Sequence, residues 1–439
     1  IMSQAAVNER PAPPNGWLNR FLNGVEKAGN KLPDPAMLFL YALLIVWVGS
    51  WIGSQFSFDL VNPRTGEAVV VNNLLTGAGL AEFLASMVTT FTGFAPLGIV
   101  LVAMLGVGVA EQSGFINTGL KKLLKVTPAR FLTPMLILVA IVSHTAADAG
   151  YVLVIPIGGI IFHAAGRHPL AGIAAAFAGV SGGFAANFLP SGGDALLQGF
   201  TQSAAQLLDP DYMVNTLCNI IFTGASSLLI ICVGWFVTEK IVEPRLKQVP
   251  LNEDLESADE MGRYSAQESR AFNWAGFAML AAVVLLGLAL SPDDSPMRAP
   301  DGSLTTFAAP VMKSIVPLIF LLFILPGIVY GFVAGSFKSG KDVIDAMSAT
   351  MNKMGSYMVM AFFCALFIKA FGDSNLGTLL ALSGAEVLHA LALPGEVTIV
   401  GMILLTASVN LVVGSASAKW ALISPILVPM LMAVGSRRS

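Results

Sequence analysis

The sequence predicts an all-α polytopic membrane protein made of inverted repeats, each with a re-entrant helical hairpin and a broken transmembrane helix. Three observations lead there. The first is composition. Of 439 residues, 55% are hydrophobic and only 12% charged, with a mean hydropathy of +0.75. An ordinary soluble domain carries about 25% charged residues, so this chain belongs in lipid. The second is a series of apolar stretches near the length of a membrane span. The third is the alternation of basic and non-basic loops, which gives each stretch a direction.

Composition also narrows function. A net charge of −3 with no basic patch among aromatics argues against nucleic-acid binding. Cys218, Cys232 and Cys364 all lie in apolar stretches, so neither a disulfide framework nor a metal cluster is expected. The sequence has no Walker loop and no His-Glu-x-x-His, which argues against nucleotide-driven transport and zinc hydrolysis. No cofactor is expected beyond a coupling ion.

Residues 1–34 are polar and Pro-rich and lack the short apolar core of a cleavable signal. They carry Arg10, Arg20, Lys27 and Lys31 and read as a cytoplasmic tail. Spans are expected at 35–52, 94–115, 217–237, 272–290 and 311–333, with a shorter one at 356–371. The loop 57–90 has Arg64 alone and is placed outside. The loop 117–130 has Lys121, Lys122, Lys125 and Arg130 and is placed inside. The stretch 131–165 is followed by the basic Gly166-Arg167-His168, so it starts and ends on the cytoplasmic side, as a re-entrant hairpin does.

The segment 169–206 then crosses outward. It is interrupted by Asn187-Phe188-Leu189-Pro190-Ser191-Gly192-Gly193-Asp194. Such a break frees backbone groups that must face protein or a cavity. Loops 207–216 and 373–396 lack Lys and Arg, and 291–310 has one Arg, so all three are placed outside. Loops 239–270 and 335–355 are richer in Lys and Arg and go inside. The second irregular stretch, 397–434, therefore enters from outside, opposite to the first, as an inverted repeat requires. The two share an aromatic followed five residues later by proline, at Tyr151 and Pro156 and at Trp420 and Pro425.

The expected organisation is a tail (1–34), a first repeat (35–206, with hairpin 131–165 and broken helix 169–206), connecting spans with a cytoplasmic loop (207–310), a second repeat (311–434, with hairpin 397–434) and a tail at 435–439. No broken helix follows the second hairpin. Arg437 and Arg438 would also fall outside, so 435–439 reads as a shortened end or a cloning remnant.

Hairpin tips and helix breaks place helix ends and free backbone groups near the membrane midplane. In the first repeat the candidates there are Ser143, His144, Thr145, Asp148, Asn187, Ser191 and Asp194. Hydroxyl and amide oxygens suit hard cations and polar ligands. An ionisable group at membrane depth is costly and so marks function, against the bland reading of Asp148 and Asp194 as capped structural residues. His144 and Asp148 are candidates for a proton relay.

In the second repeat the candidates are Asn410, Gly414, Ser415, Ser417, Lys419 and Trp420. Asn410 and Gly414 lie four apart and could share one sodium ion, a side-chain oxygen with a backbone oxygen. Trp420 could stack on an aromatic ligand, and Lys419 could instead snorkel. Gly179-Val180-Ser181-Gly182-Gly183 fits a nucleophile elbow. That leaves an intramembrane serine hydrolase using Ser181 as the second reading, although small residues at this density usually serve close helix packing.

Several stretches together resemble one family. They are FTGFAPLG at 91–98, GVGVAE at 106–111, GRHPLAG at 166–172, FAGVSGG at 177–183, TEKIVEP at 238–244, PGIVYG at 326–331 and GSASAKW at 414–420. They are similar to stretches of the AbgT transporters, and the likeness runs from the first span to about residue 434. The resemblance implies a multi-pass homodimer in the lipid of the bacterial inner membrane, with two hairpins in each subunit. It implies transport of p-aminobenzoyl-glutamate, efflux of sulfonamides and coupling to Na+ or protons, rather than enzymatic activity. It places ligand-binding roles on Asp194, Ser417 and Trp420 and a cation role on Asn410 and Gly414. Family members often carry Ser-Asn-Thr at the first tip, where this chain has Ser143-His144-Thr145. The family's C-terminal broken helix has no counterpart in this sequence.

Overall fold

The computed structural model describes residues 24, 33–62, 66–125, 127–143, 151, 154–183, 186–246, 264–306, 309–390, 395–412 and 416–436. Among them the chain is helical, and its one β feature is an isolated bridge between Val61 and Ala68. In chain order the first helices are α1 (Pro35–Gly53), α2 (Gly77–Thr92), α3 (Ala95–Ser113), α4 (Phe115–Lys125), α5 (Leu132–Ser143), α6 (Ile155–Ala164), α7 (Pro169–Gly183) and α8 (Gly192–Ala205). Then come α9 (Ile220–Val237), α10 (Glu243–Leu246), α11 (Ala266–Leu290), α12 (Pro310–Lys313), α13 (Ile315–Ala334) and α14 (Gly340–Lys353). The last are α15 (Gly355–Asp373), α16 (Leu376–Ala390), α17 (Gly395–Val412) and α18 (Ala416–Ser436).

Local chemistry sets many of the boundaries. Asp34 Oδ1 accepts from Ala36 N at 2.9 Å, and Pro35 opens α1 with a ring that needs no donor. Gly114 ends α3 in the left-handed region at φ 94°, its N–H on the Glu111 carbonyl. Ser265 and Glu268 form a reciprocal cap at the start of α11. Among the described residues seven helical stretches are long and apolar enough to cross a membrane, so the protein is an all-α multi-pass membrane protein.

Four segments read as loops from their charge are in fact helical: α2, α4, α14 and α16. They have 16, 11, 14 and 15 residues. A search for runs of about 20 apolar residues passes over helices this short. The arms of the two hairpin regions also differ. Helices α5 and α6 have 12 and 10 residues, too short for a hydrocarbon layer of about 30 Å at about 1.5 Å per residue. Helices α17 and α18 have 18 and 21 residues, so these arms are longer than the short ones the sequence suggests. Pro425 and Pro429 lie inside α18 without ending it, as membrane helices tolerate.

The described residues form two compact units. The central unit is drawn from Thr92–Gln202 and Asp211–Ala361, the terminal unit from Ile1–Phe91, Ser203–Pro210 and Phe362–Ser439. In the central unit α3 and α13 meet backbone to backbone. A Cβ on Gly106 would lie 2.4 Å from the Phe320 carbonyl oxygen, and one on Gly327 would lie 2.8 Å from Ala110 N. Helix α11 packs on α13, and α14 on α3.

Helices α5 and α6 both pack on α7 through a second glycine seam. A Cβ on Gly172 would lie 2.1 Å from the Gly158 carbonyl oxygen, and one on Gly183 would lie 2.7 Å from Ile141 Cα. Leu136, Ile137, Ile157, Phe162 and Val180 fill the space around it. Just beyond, Arg167 Nε donates to Glu243 Oε1 at 2.6 Å, and its guanidinium lies 4.1 Å from the Phe162 ring centroid. Glu239 accepts from Thr133 Oγ1 at 3.0 Å and from Arg167 at 3.5 Å. In the terminal unit α16 packs on α18 and α1, with Leu379, Leu382, Ala385 and Ala433 in its core.

Candidate functional site

The sequence candidates fall in both units. In the central unit the chain leaves α7 and re-enters helix at α8. Ser191 is the residue before α8, and Asp194 lies in its first turn. Asp194 Oδ2 accepts from Ser191 N at 2.8 Å and from Ser191 Oγ at 2.9 Å. The carboxylate thus satisfies an N–H at the start of α8 and sits at the positive end of the helix. Asn187 is buried, and its Oδ1 accepts from Leu189 N at 3.0 Å. Its Nδ2 is buried with no hydrogen-bond partner among the described residues. A buried amide donor of this kind is costly unless an acceptor arrives, and a ligand carboxylate is such an acceptor. Ser143 is fully buried, and its hydroxyl donates to the Ala140 carbonyl of its own helix.

Helix α8 adds two residues that sequence reasoning missed. Gln198 and Gln202 follow Asp194 at four-residue intervals, which puts all three on one helix face. Gln198 Nε2 donates to Gln202 Oε1 at 2.9 Å and to the Val214 carbonyl at 2.8 Å. Both glutamines line a mainly apolar cavity of about 300 Å³, together with Ile99, Val102 and Val316. The signal was present as amides at helical spacing after the break, in a segment otherwise rich in small and apolar residues.

In the terminal unit Asn410 lies in the last turn of α17, and Ser417, Lys419 and Trp420 lie in the first turns of α18. Lys419 Nζ donates to Asn410 Oδ1, which joins the two helices. Ser417 and Trp420 are half-buried. His144, Thr145, Asp148, Gly414 and Ser415 lie outside the described residues. The Asn410 side-chain oxygen is a hard neutral donor in the last turn of α17, where the helix dipole favours positive charge.

Ser181 is exposed on α7, while its neighbours Gly179 and Gly183 face α5 so closely that a Cβ on either would lie 2.7 Å from Ala140 Cβ or Ile141 Cα. The glycines of the elbow-like pattern are thus a packing seam and do not shape a nucleophile turn.

The family model described as "AbgT putative transporter family" matches residues 20–438. The chain is 35% identical over 425 residues to the p-aminobenzoyl-glutamate transport protein of Escherichia coli (strain K12), covering 96% of this chain and 82% of that protein. Among solved structures it is similar to Neisseria gonorrhoeae MtrF, of a class of antimetabolite efflux pumps, with a TM-score of 0.89 and 43% identity over 94% of this chain and 84% of that one. It is also similar to the Alcanivorax borkumensis YdaH transporter, whose crystal structure has an unusual topology, with a TM-score of 0.86 and 39% identity over 92% of this chain and 84% of that one.

Proposed function

This chain belongs to the AbgT family of membrane transporters and is not an enzyme, and on that premise we propose that it is an ion-coupled secondary transporter of p-aminobenzoyl-glutamate that also exports sulfonamide antimetabolites. The observation that carries the reading is its likeness, along nearly its whole length, to a p-aminobenzoyl-glutamate transporter and to an antimetabolite efflux pump.

The chemistry of the candidate residues supports it. The substrate is an aromatic amide with carboxylates. Trp420 offers a face for its ring. The unpartnered Asn187 Nδ2 offers a donor to a carboxylate. Asp194 Oδ2 is engaged by Ser191, while Oδ1 accepts nothing among the described residues and suits an arylamine N–H, a group that p-aminobenzoyl-glutamate and sulfonamides share. Ser417 adds a hydroxyl, as Ser143, Thr145 and Ser415 would at the tips. Asn410 with Gly414 would hold Na+, or His144 with Asp148 would relay protons. The reading includes a homodimer in the lipid of the bacterial inner membrane with a cytoplasmic N-terminus, and hairpin regions that enter from opposite faces.

Uptake of labelled p-aminobenzoyl-glutamate into proteoliposomes tests it, with a Na+ gradient and a pH gradient imposed separately. Accumulation driven by one of them, and lost in Trp420→Ala and in Asp194→Ala, is the expected result. Wild-type uptake by both variants would overturn the site assignment, and accumulation with neither gradient would overturn the coupling.

A further inference from the structure

The contact between Lys419 and Asn410 does more than tie two helices together. An ammonium has three donors and no acceptor, so the amide must present its oxygen to it. That oxygen is a hard neutral donor, equally suited to an alkali cation. Asn410 lies in the last turn of α17, where the helix dipole favours positive charge. Lys419 lies in the first turn of α18, where its own helix disfavours a cation. Its favourable surroundings therefore come from α17. Among the described residues no carboxylate pairs with Lys419. Helix α18 lies within a candidate membrane span, and a lysine kept in such a span without an acid partner marks function.

We propose that Lys419 is a tethered cation that fills the Asn410 oxygen in the ion-free transporter, and that a sodium ion binds at Asn410 only by displacing it. The proposal rests on the ion-coupled reading above and gives it a mechanism. An amide oxygen has two lone pairs, but two cations on it would stand about 4 Å apart and repel by about 4 kcal/mol at an effective dielectric of about 20, so ion binding and the α17–α18 bond compete. Sodium entry then breaks this bond between α17 and α18, and sodium release restores it. The ion-loaded and ion-free states differ by a contact between helices as well as by an ion.

The test uses the purified full chain in detergent, in NaCl or in choline chloride of equal ionic strength. Lysines are labelled with an amine-reactive ester and quantified by peptide mass spectrometry, with the exposed Lys338 and Lys341 as internal references. Lys419 labelling should rise several-fold in NaCl while the references stay level. In Asn410→Ala it should be high in both salts. In a thermal-shift titration, Lys419→Met should lower the half-maximal Na+ concentration by about tenfold or more, the size of one charge-assisted hydrogen bond that no longer competes.

Salt-insensitive Lys419 labelling in a protein that still shows Na+-driven uptake would overturn the proposal and leave ion coupling standing. Loss of both responses would remove sodium coupling as well. A Lys419→Met protein that melts lower with an unchanged Na+ half-point would make the contact purely structural and also overturn the proposal. If that variant does not fold, the wild-type labelling decides alone.

Discussion

The region from α5 to α8 and the pair α17–α18 manage polar groups inside an apolar protein in opposite ways. In the first, glycines bring backbones together, and the one charged group at the break, Asp194, is held by the start of its own helix. In the second, Gly401 has open space around it, and the charge on Lys419 is held by a side chain of the neighbouring helix. A local cap forms wherever the helix forms. A bond between helices depends on how the helices sit, so it can be made and broken without unfolding anything. The break before α8 is thus suited to be a fixed ligand platform, and the α17–α18 contact to be a moving part.

The largest effect expected from this contrast is at Gly172. Its Cβ would lie 2.1 Å from the Gly158 carbonyl oxygen, so Gly172→Val should destabilise by about 3 kcal/mol or more, or prevent folding. Fluorescence size-exclusion yield and melting temperature read this out, while Gly401→Val should pass nearly unnoticed. A Gly172→Val protein of wild-type stability would break the contrast.

Next is the cap. Asp194→Ala should cost about 1 kcal/mol of stability and, separately, most of the transport. Ser191→Ala should share the first loss and little of the second. Equal transport defects in the two would mean that Asp194 acts only by shaping α8. A smaller effect of opposite sign is expected at Gly401, where no heavy atom lies within 4 Å of a new Cβ. Gly401→Ala should stabilise by about 0.5–1 kcal/mol through helix propensity, read as a rise in melting temperature.

The smallest effect sharpens the cap argument in a wetter place. Ser339 and Asp342 repeat the Ser-x-x-Asp spacing at the start of α14. The N–H groups of Lys338 and Ser339 hold the Asp342 carboxyl below its ordinary value of 3.8. A depressed folded-state value means that the stabilisation is present above 3.8 and is lost as pH falls through the folded value. Wild type should therefore lose a small increment of stability in acid that Asp342→Asn lacks throughout, as melting curves at stepped pH would reveal.

The long spans were legible because a membrane imposes a minimum apolar length, and α1, α9, α11, α13 and α15 all meet it. Helices α2 and α16 escaped because they are short, and loop charge gives the side of a segment but not its conformation. The break before α8 was legible from Pro190, Gly192 and Gly193. Its cap is also written in the sequence, as Ser191 three residues before Asp194. The Lys419–Asn410 contact was not legible. The two residues are nine apart on different helices, and no periodicity brings them together, so Lys419 read as a snorkelling side chain. The Gly-Val-Ser-Gly-Gly pattern shows the reverse hazard: a motif with a catalytic precedent resolved into a seam once the positions facing Gly179 and Gly183 were known.

The apolar faces of Ile220–Leu246 and Ala266–Leu290 are largely exposed on the single chain. Little in the chain constrains which apolar residue stands at their exposed positions, whereas Ala271 and Ala275 are buried against Tyr330 of α13. Lipid, a fluid solvent, accepts leucine, isoleucine, valine or phenylalanine almost alike and rejects charge. A saturation mutagenesis library should therefore separate two kinds of sequence memory in one molecule. At the exposed positions of α9 and α11 selection would preserve a property, hydrophobicity, and let residue identities drift. Along α3 and α13 it would preserve identities, at Gly106 and Gly327 above all, because there a single methyl group is already too large.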